Sequence, residues 1–308
     1  MPIANPFEAI GRAAHKDTPP DAASKEPGVT LSPSYLGANL FTDDKMRQAV
    51  PSAMPKFEEA RRSGTALDKD TKDAIAKALM DWAVKRGAVN FSHWFSPMRG
   101  TCAQKHDAFL DLDFSSPSVV KPMKKDFDGG KLFMAETDGS SFPNGGLRET
   151  HTAAAFNSWD MKSPPFVRGE TLYIPSCFVA WNGMALDEKT PLLRSMEALS
   201  KEGVRMLKNL GEEEFTEVRC FVGWEQEFFV VSKENFMKRP DLMATGRSVM
   251  GAPPTKGQQE ELHYFGQIPG SVHRYIEDVQ KEMWLLGSPM LVYHNEVAPG
   301  QHELSPIF

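Results

Sequence analysis

An α+β fold in two parts is what this 308-residue sequence predicts. Three observations carry that reading. Stretches before Gly87, Gly211 and Gly287 repeat apolar residues at helical spacing. Residues 88–185 break instead into short β-like runs between Gly, Pro and Ser clusters. A run of β-formers, VRCFVGWEQEFFVVS at 218–232, then separates two of the helices. A small β-rich domain followed by the beginning of a larger α/β or α+β domain satisfies all three.

In chain order, residues 1–35 are rich in Pro, Ala and Asp without apolar period, which predicts a mobile arm. Residues 36–87 form a helical region, in which Asp68 or Asp70 can cap a helix through Ile75, Leu79 and Trp82 that Gly87 closes. The β-rich domain spans 88–185 and includes KLFMAET at 131–137 and ETLYIP at 170–175. From 186 to 308 the second domain begins. One of its helices carries Leu193, Met196, Leu207 and Leu210; another carries Val272, Ile276, Val279, Met283 and Leu286. The methionines on these helices are expected in the core, and Cys102, Cys177 and Cys220 as small buried hydrophobes.

Composition excludes several classes. Hydrophobic residues at 41% and charged ones at 25% suit a globular protein with substantial cores. The net charge is -6 and the 35 Lys and Arg are scattered, which argues against a nucleic-acid partner. No apolar run approaches the ~20 residues of a membrane-spanning helix. Three widely spaced cysteines without a C-x-x-C indicate neither a structural zinc site nor a disulfide framework, and point to a reducing compartment. A cytoplasmic location is expected, with a plastid as the alternative.

The chemistry lies in two carboxylate pairs. In HNEVAPGQHE at 294–303, Ala298-Pro299-Gly300-Gln301 suits a type II turn, with Pro setting φ and Gly accepting positive φ. Antiparallel flanks would then set Glu296 directly opposite Glu303, where like charges repel unless a cation lies between them. In GWEQEFF, Glu225 and Glu227 fall on one strand face beside Phe221, Phe229 and Val231, which suggests a covered surface. An isolated E-x-E is more often a solvated strand face. Two such pairs with no interleaved Lys form a hard-oxygen environment suited to Mg²⁺ or Mn²⁺ rather than zinc. Spacing alone leaves glycosidase, two-metal hydrolase and phosphoryl-transfer chemistry open. No G-x-x-x-x-G-K-[ST] loop is present to indicate a nucleotide.

Together, GWEQEFF, HNEVAPGQHELSPIF and TDGSSFPNGG resemble glutamine synthetase. NFSHWFSPMRGTCAQKHDAFL and SSFPNGGLRETHTAAAFNSWD are similar to its type III branch, so that the likeness covers 88–308. It implies a β-grasp N-terminal domain joined to a catalytic domain, and a homo-oligomer of stacked rings with active sites between neighbouring subunits. The implied reaction is ATP-dependent: L-glutamate becomes γ-glutamyl phosphate, from which ammonia displaces phosphate. By resemblance, Glu227, Glu296 and Glu303 hold the metal beside glutamate and the transferring phosphoryl, and Glu225 holds a second metal at the nucleotide phosphates. Asp138 would bind ammonium and take its proton in the next subunit's site, although Asp-Gly is equally a common turn pair. Phe308 matches a residue against the adenine. His294 and His302 are expected to support the carboxylates rather than bind metal, and Arg148 suits a salt bridge as well as an anion.

The family's remaining metal, glutamate and nucleotide ligands come from motifs later than Phe308. The chain is therefore expected to be the N-terminal part of a longer protein, and inactive by itself. Two rivals stand beside the ligase: a related glutamate–amine ligase, and a non-catalytic ring-forming or regulatory paralogue.

Overall fold

The computed structural model describes residues 36–94, 105–113, 121–124, 126–137, 155–251 and 262–306. The expected arm at 1–35, Cys102, Asp138, Arg148 and Phe308 lie outside them. The fold is α+β. Two compact units form, Asn39–Cys220 and one whose described residues are Leu36–Ala38 and those from Phe221 onward.

The Asn39–Cys220 unit opens with three helices, α1 (Asp43–Ala49), α2 (Met54–Ser63) and α3 (Lys69–Lys85). Local chemistry sets their ends. Thr42 caps α1 through Lys45 N–H, Asp68 caps α3 through Thr71 N–H, and Gly64 ends α2 at φ 73°. Their apolar faces meet a sheet built from β1 (Asn90–Trp94), β2 (Asp107–Ala108), β5 (Met134–Thr137), β6 (Ala155–Trp159), β7 (Phe166–Arg168) and β8 (Thr171–Ala180); a separate two-stranded ribbon joins β3 (Asp111–Asp113) and β4 (Lys121–Lys124). The strand order is β2-β1-β8-β6-β5. Ten-residue β8 organises it: Thr171–Pro175 pairs in parallel with β1, Thr171–Tyr173 pairs antiparallel with β7, and Ser176–Ala180 pairs antiparallel with β6. Phe57, Ile75, Leu79, Phe91, Leu132, Trp159, Leu172 and Ile174 form one core between helices and sheet.

Lys131–Phe133, expected in a strand, instead ends a short helix, α4 (Gly129–Phe133), that leads directly into β5. Asp128 caps it through Lys131 N–H, and Gly129 sits hard against α3 with its N–H on Asp73. A Cβ at 129 would lie 2.4 Å from Lys72 Cβ and 2.8 Å from the Lys72 carbonyl carbon. Gly129→Ala is accordingly expected to destabilise this unit by about 1–3 kcal/mol. An unchanged denaturant midpoint would show that α4 is free to move off α3.

Long helix α5 (Lys189–Asn209) follows β8. Of the residues expected on its apolar stripe, Met196 and Leu210 are exposed and Leu193 and Leu207 half-buried; Met206 is exposed as well, against the expectation that the helix methionines are core. Cys177 is half-buried and Cys220 exposed, so neither is the fully buried hydrophobe expected from sequence.

The second unit contains β9 (Gln226–Phe229), the short helices α6 (Lys233–Met237), α7 (Pro240–Thr245) and α8 (Leu262–Phe265), then α9 (Gly270–Leu285), β10 (Met290–Asn295) and β11 (Gln301–Pro306). Its sheet runs β10-β11-β9, antiparallel throughout. Val272 and Ile276 of α9 cover one face of it through Met290, Leu304 and Phe228. Only 226–229 of the expected 218–232 strand forms ladder bonds, because β11 offers Gln301–Leu304 as its partner.

Candidate functional site

The second sheet gathers the four candidate glutamates. Alternation places Gln301, Glu303 and Ser305 on one face of β11, and His302, Leu304 and Pro306 on the face toward α9. Glu303 lies directly opposite Glu227 of β9 and, on its other side, opposite His294 of β10. Cross-strand partners share a face, so His294, Glu303 and Glu227 form one row, and Glu296 and Glu225 lie two residues beyond its ends.

This register corrects the expectation that Glu296 faces Glu303. The turn itself forms as its residues require: Gln301 N–H bonds Ala298 O at 2.9 Å and Gly300 takes φ 79°. Val297 and Ala298 both lie in the loop rather than the ladder, however, so Glu296 N–H bonds Gln301 O at 3.0 Å and the pairing slips by two residues. A two-residue slip keeps every side chain on its own face. Glu296 therefore stays with Glu303, and Glu227 becomes its direct neighbour.

Charges on this face are incompletely matched. Glu303 is 8% exposed and its buried Oε2 has no hydrogen-bond donor. Burial pushes its carboxyl above the ordinary range, and the carboxylates of Glu225 and Glu296, both within hydrogen-bonding reach, push it further. Glu227 accepts from Gln301 Nε2. Glu296 accepts from Val297 N–H at 3.1 Å and from the Tyr264 hydroxyl at 3.4 Å. Glu296, burial and then the other carboxylates raise the Tyr264 phenol. Among the described residues no three His, Cys, Asp or Glu side chains are placed so as to hold a metal ion together. In chemistry the donor set nonetheless suits a hard divalent cation: the groups on this face are carboxylates, and one buried carboxylate oxygen has no hydrogen-bond partner.

The apolar flank of the acidic strand is open. Phe221, Phe229 and Val231, expected to lie under cover, are exposed. The two histidines separate: His294 shares the acidic face, 6.0 Å from the Tyr264 ring, whereas His302 is buried on the reverse face with its Nδ1 2.9 Å from Asn295 Oδ1. Tyr264 and Asn295 were not singled out from sequence. The first lies in HYFG, a short helical turn with no periodic signal. The second is one residue from Glu296 and is marked only by strand alternation.

Comparison with known proteins completes the picture. The family described as glutamine synthetase type III N terminal matches residues 32–195, more than half of the chain. The type-3 glutamine synthetase of Dictyostelium discoideum is 42% identical over 268 residues, 85% of this chain and 36% of that protein. A glutamine synthetase of Bacteroides fragilis is 37% identical over 94% of this chain and 40% of its own, and one of Butyrivibrio fibrisolvens is 40% identical over 69% and 30%. This chain thus spans between 30% and 40% of the length of these curated relatives. A solved Plasmodium falciparum glutamine synthetase aligns over 79% of this chain and 45% of its own at 14% identity and a TM-score of 0.38, too loosely to bear on the fold. On the match across 32–195, this chain belongs to the type III glutamine synthetase family.

Proposed function

We propose that the full-length protein joins ammonia to L-glutamate with ATP, through γ-glutamyl phosphate, and so serves nitrogen assimilation. The observation that carries this reading is the row of carboxylates from Glu227 through Glu303, with Glu296 and Glu225 at its flanks, in a chain of this family. Glu227, Glu296 and Glu303 would hold one Mg²⁺ or Mn²⁺ and Glu225 would share a second. Bound there, such ions supply charge neutralisation for the transferring phosphoryl group, on which this chemistry chiefly depends. The chain's own residues do the rest of the local work. Gln301 holds the Glu227 carboxylate, Tyr264 steadies Glu296, and the sheet fixes the spacing between strands.

The finer assignments rest on resemblance. Asp138 would bind ammonium across a subunit boundary in a stacked-ring homo-oligomer, and Phe308 would pack on the adenine. Residues 88–185 would be the β-grasp domain, after the helical 36–87 region, and 186–308 the start of the catalytic domain. A reducing compartment suits the free Cys177 and Cys220 thiols. The test is glutamine formation by the full-length protein from glutamate, ammonia, ATP and Mg²⁺. Glu296→Ala should reduce it by about a hundredfold or more, the scale at which loss of a charge-stabilising group acts. A protein that forms γ-glutamyl adducts with larger amines while ignoring ammonium would be a glutamate–amine ligase instead.

A further inference from the structure

Beneath the acidic face lies a second polar group that none of this chemistry uses. Asn295 and His302 are 6% and 4% exposed and stand opposite each other on the reverse side of the sheet. The Asn295 amide donates Nδ2–H to two backbone carbonyls, Gly266 O at 2.6 Å and Tyr264 O at 3.3 Å. Those two acceptors fix which way the amide points. Oδ1 must therefore face His302, and an oxygen there can only accept, so His302 carries its proton on Nδ1. Phe228 closes the pocket beside the imidazole, with ring centroids 6.1 Å apart. The result is a chain of hydrogen bonds from β11 through β10 into the 264–266 segment. The same segment sends the Tyr264 hydroxyl round to Glu296 Oε2.

We propose that Asn295 and His302 are positioning residues for the acidic face: they pin the 264–266 backbone to β10, and that pin holds Tyr264 where it orients the Glu296 carboxylate. The inference rests on the reading of the glutamates as cation ligands and goes beyond it, since neither residue touches the cation. A side-chain amide suits the task because it can donate to carbonyls and accept from imidazole at once. A buried network in which one amide is held by three partners also favours a single arrangement, which fixes geometry more tightly than apolar packing.

Two measurements on the 308-residue chain test this, Mn²⁺ affinity and amide hydrogen exchange in 262–268. Asn295→Ala should weaken Mn²⁺ binding by roughly tenfold, the lower end of the range for partners that orient metal ligands, and should speed exchange in 262–268. Tyr264→Phe should weaken binding similarly, and adding Asn295→Ala to it should cost little more affinity. His302→Gln, which can still donate to Asn295, should retain binding. His302→Phe, which fills the pocket without donating, should reproduce the loss if Asn295→Ala fails to fold. A lower melting temperature with unchanged Mn²⁺ affinity would make the pair merely structural and overturn the proposal. Unchanged exchange with binding intact in the wild type would overturn the pin alone. A wild-type chain that binds no Mn²⁺ would sink the metal reading, and the transmission to Glu296 with it.

Discussion

Phe57→Ala is expected to remove about 3–5 kcal/mol from the stability of the Asn39–Cys220 unit, enough to unfold a domain of ordinary stability. Phe57 is 0% exposed and stacks on Trp159 with ring centroids 5.4 Å apart. The Arg61 guanidinium covers it from the same helix, 5.3 Å from the ring centroid. Trp159 in turn contacts Phe133, so the phenyl ring joins α2 to both β6 and α4. Truncation would therefore open a cavity walled by three elements, none of which can collapse inward without breaking its own ladder or cap. Equilibrium denaturation would read the loss as a lower midpoint at unchanged slope. A shift under 1 kcal/mol would mean that this junction repacks, and that the core is held elsewhere.

The parts of this core that were legible in sequence are those fixed by neighbours along the chain. The helix ending at Gly87 could be read because Asp68, the apolar positions Ile75 and Leu79, and the closing glycine all act within a few residues. Lys131–Phe133 misled for the opposite reason. A short apolar run suits helix or strand equally, and the decision came from Gly129 packing on Lys72, far away in sequence. In α5 the helical period was read correctly and the burial of its methionines wrongly, since periodicity specifies a face but not what covers it.

The acidic sheet shows the same division. Side-chain alternation has a period of two, so the sequence was enough to put Glu225 with Glu227 on one face and Glu296 with Glu303 on one face. Which glutamate stands opposite which was not legible. A loop two residues longer than the expected turn, taking in Val297 and Ala298, decides it, and the pairing of β9 with β11 is non-local. The Asn295–His302 pair was hidden for a related reason: alternation turns both away from the neighbouring glutamates, but only the fold sets them opposite each other and brings the 264–266 carbonyls to Asn295.

Glu303→Gln should move stability in opposite directions with and without a divalent cation. In the cation-free chain the substitution is expected to stabilise the fold at pH 7 by a few tenths to about 1 kcal/mol, the scale of a cross-strand like-charge pair. It removes a buried carboxylate that faces Glu227 and lies within reach of Glu225 and Glu296. The pH dependence follows from the sign of the shift. The folded carboxyl titrates above its unfolded value, so the fold binds its proton more tightly than the unfolded chain does. Stability from this group is then present at low pH, falls as pH rises from the unfolded value through the folded one, and stays lost above it. Glutamine carries no such charge, so the variant's advantage should vanish in acid and be full at neutrality. With millimolar Mn²⁺ the order should reverse. The wild type gains a ligand-linked rise in melting temperature, while the variant loses an anionic oxygen from the centre of the row and responds weakly. Thermal melts of both proteins at pH 4 and pH 7, with and without Mn²⁺, would decide the matter. A variant that is less stable than wild type in every condition would mean that Glu303 is held by favourable contacts, and that its buried Oε2 is not waiting for a cation.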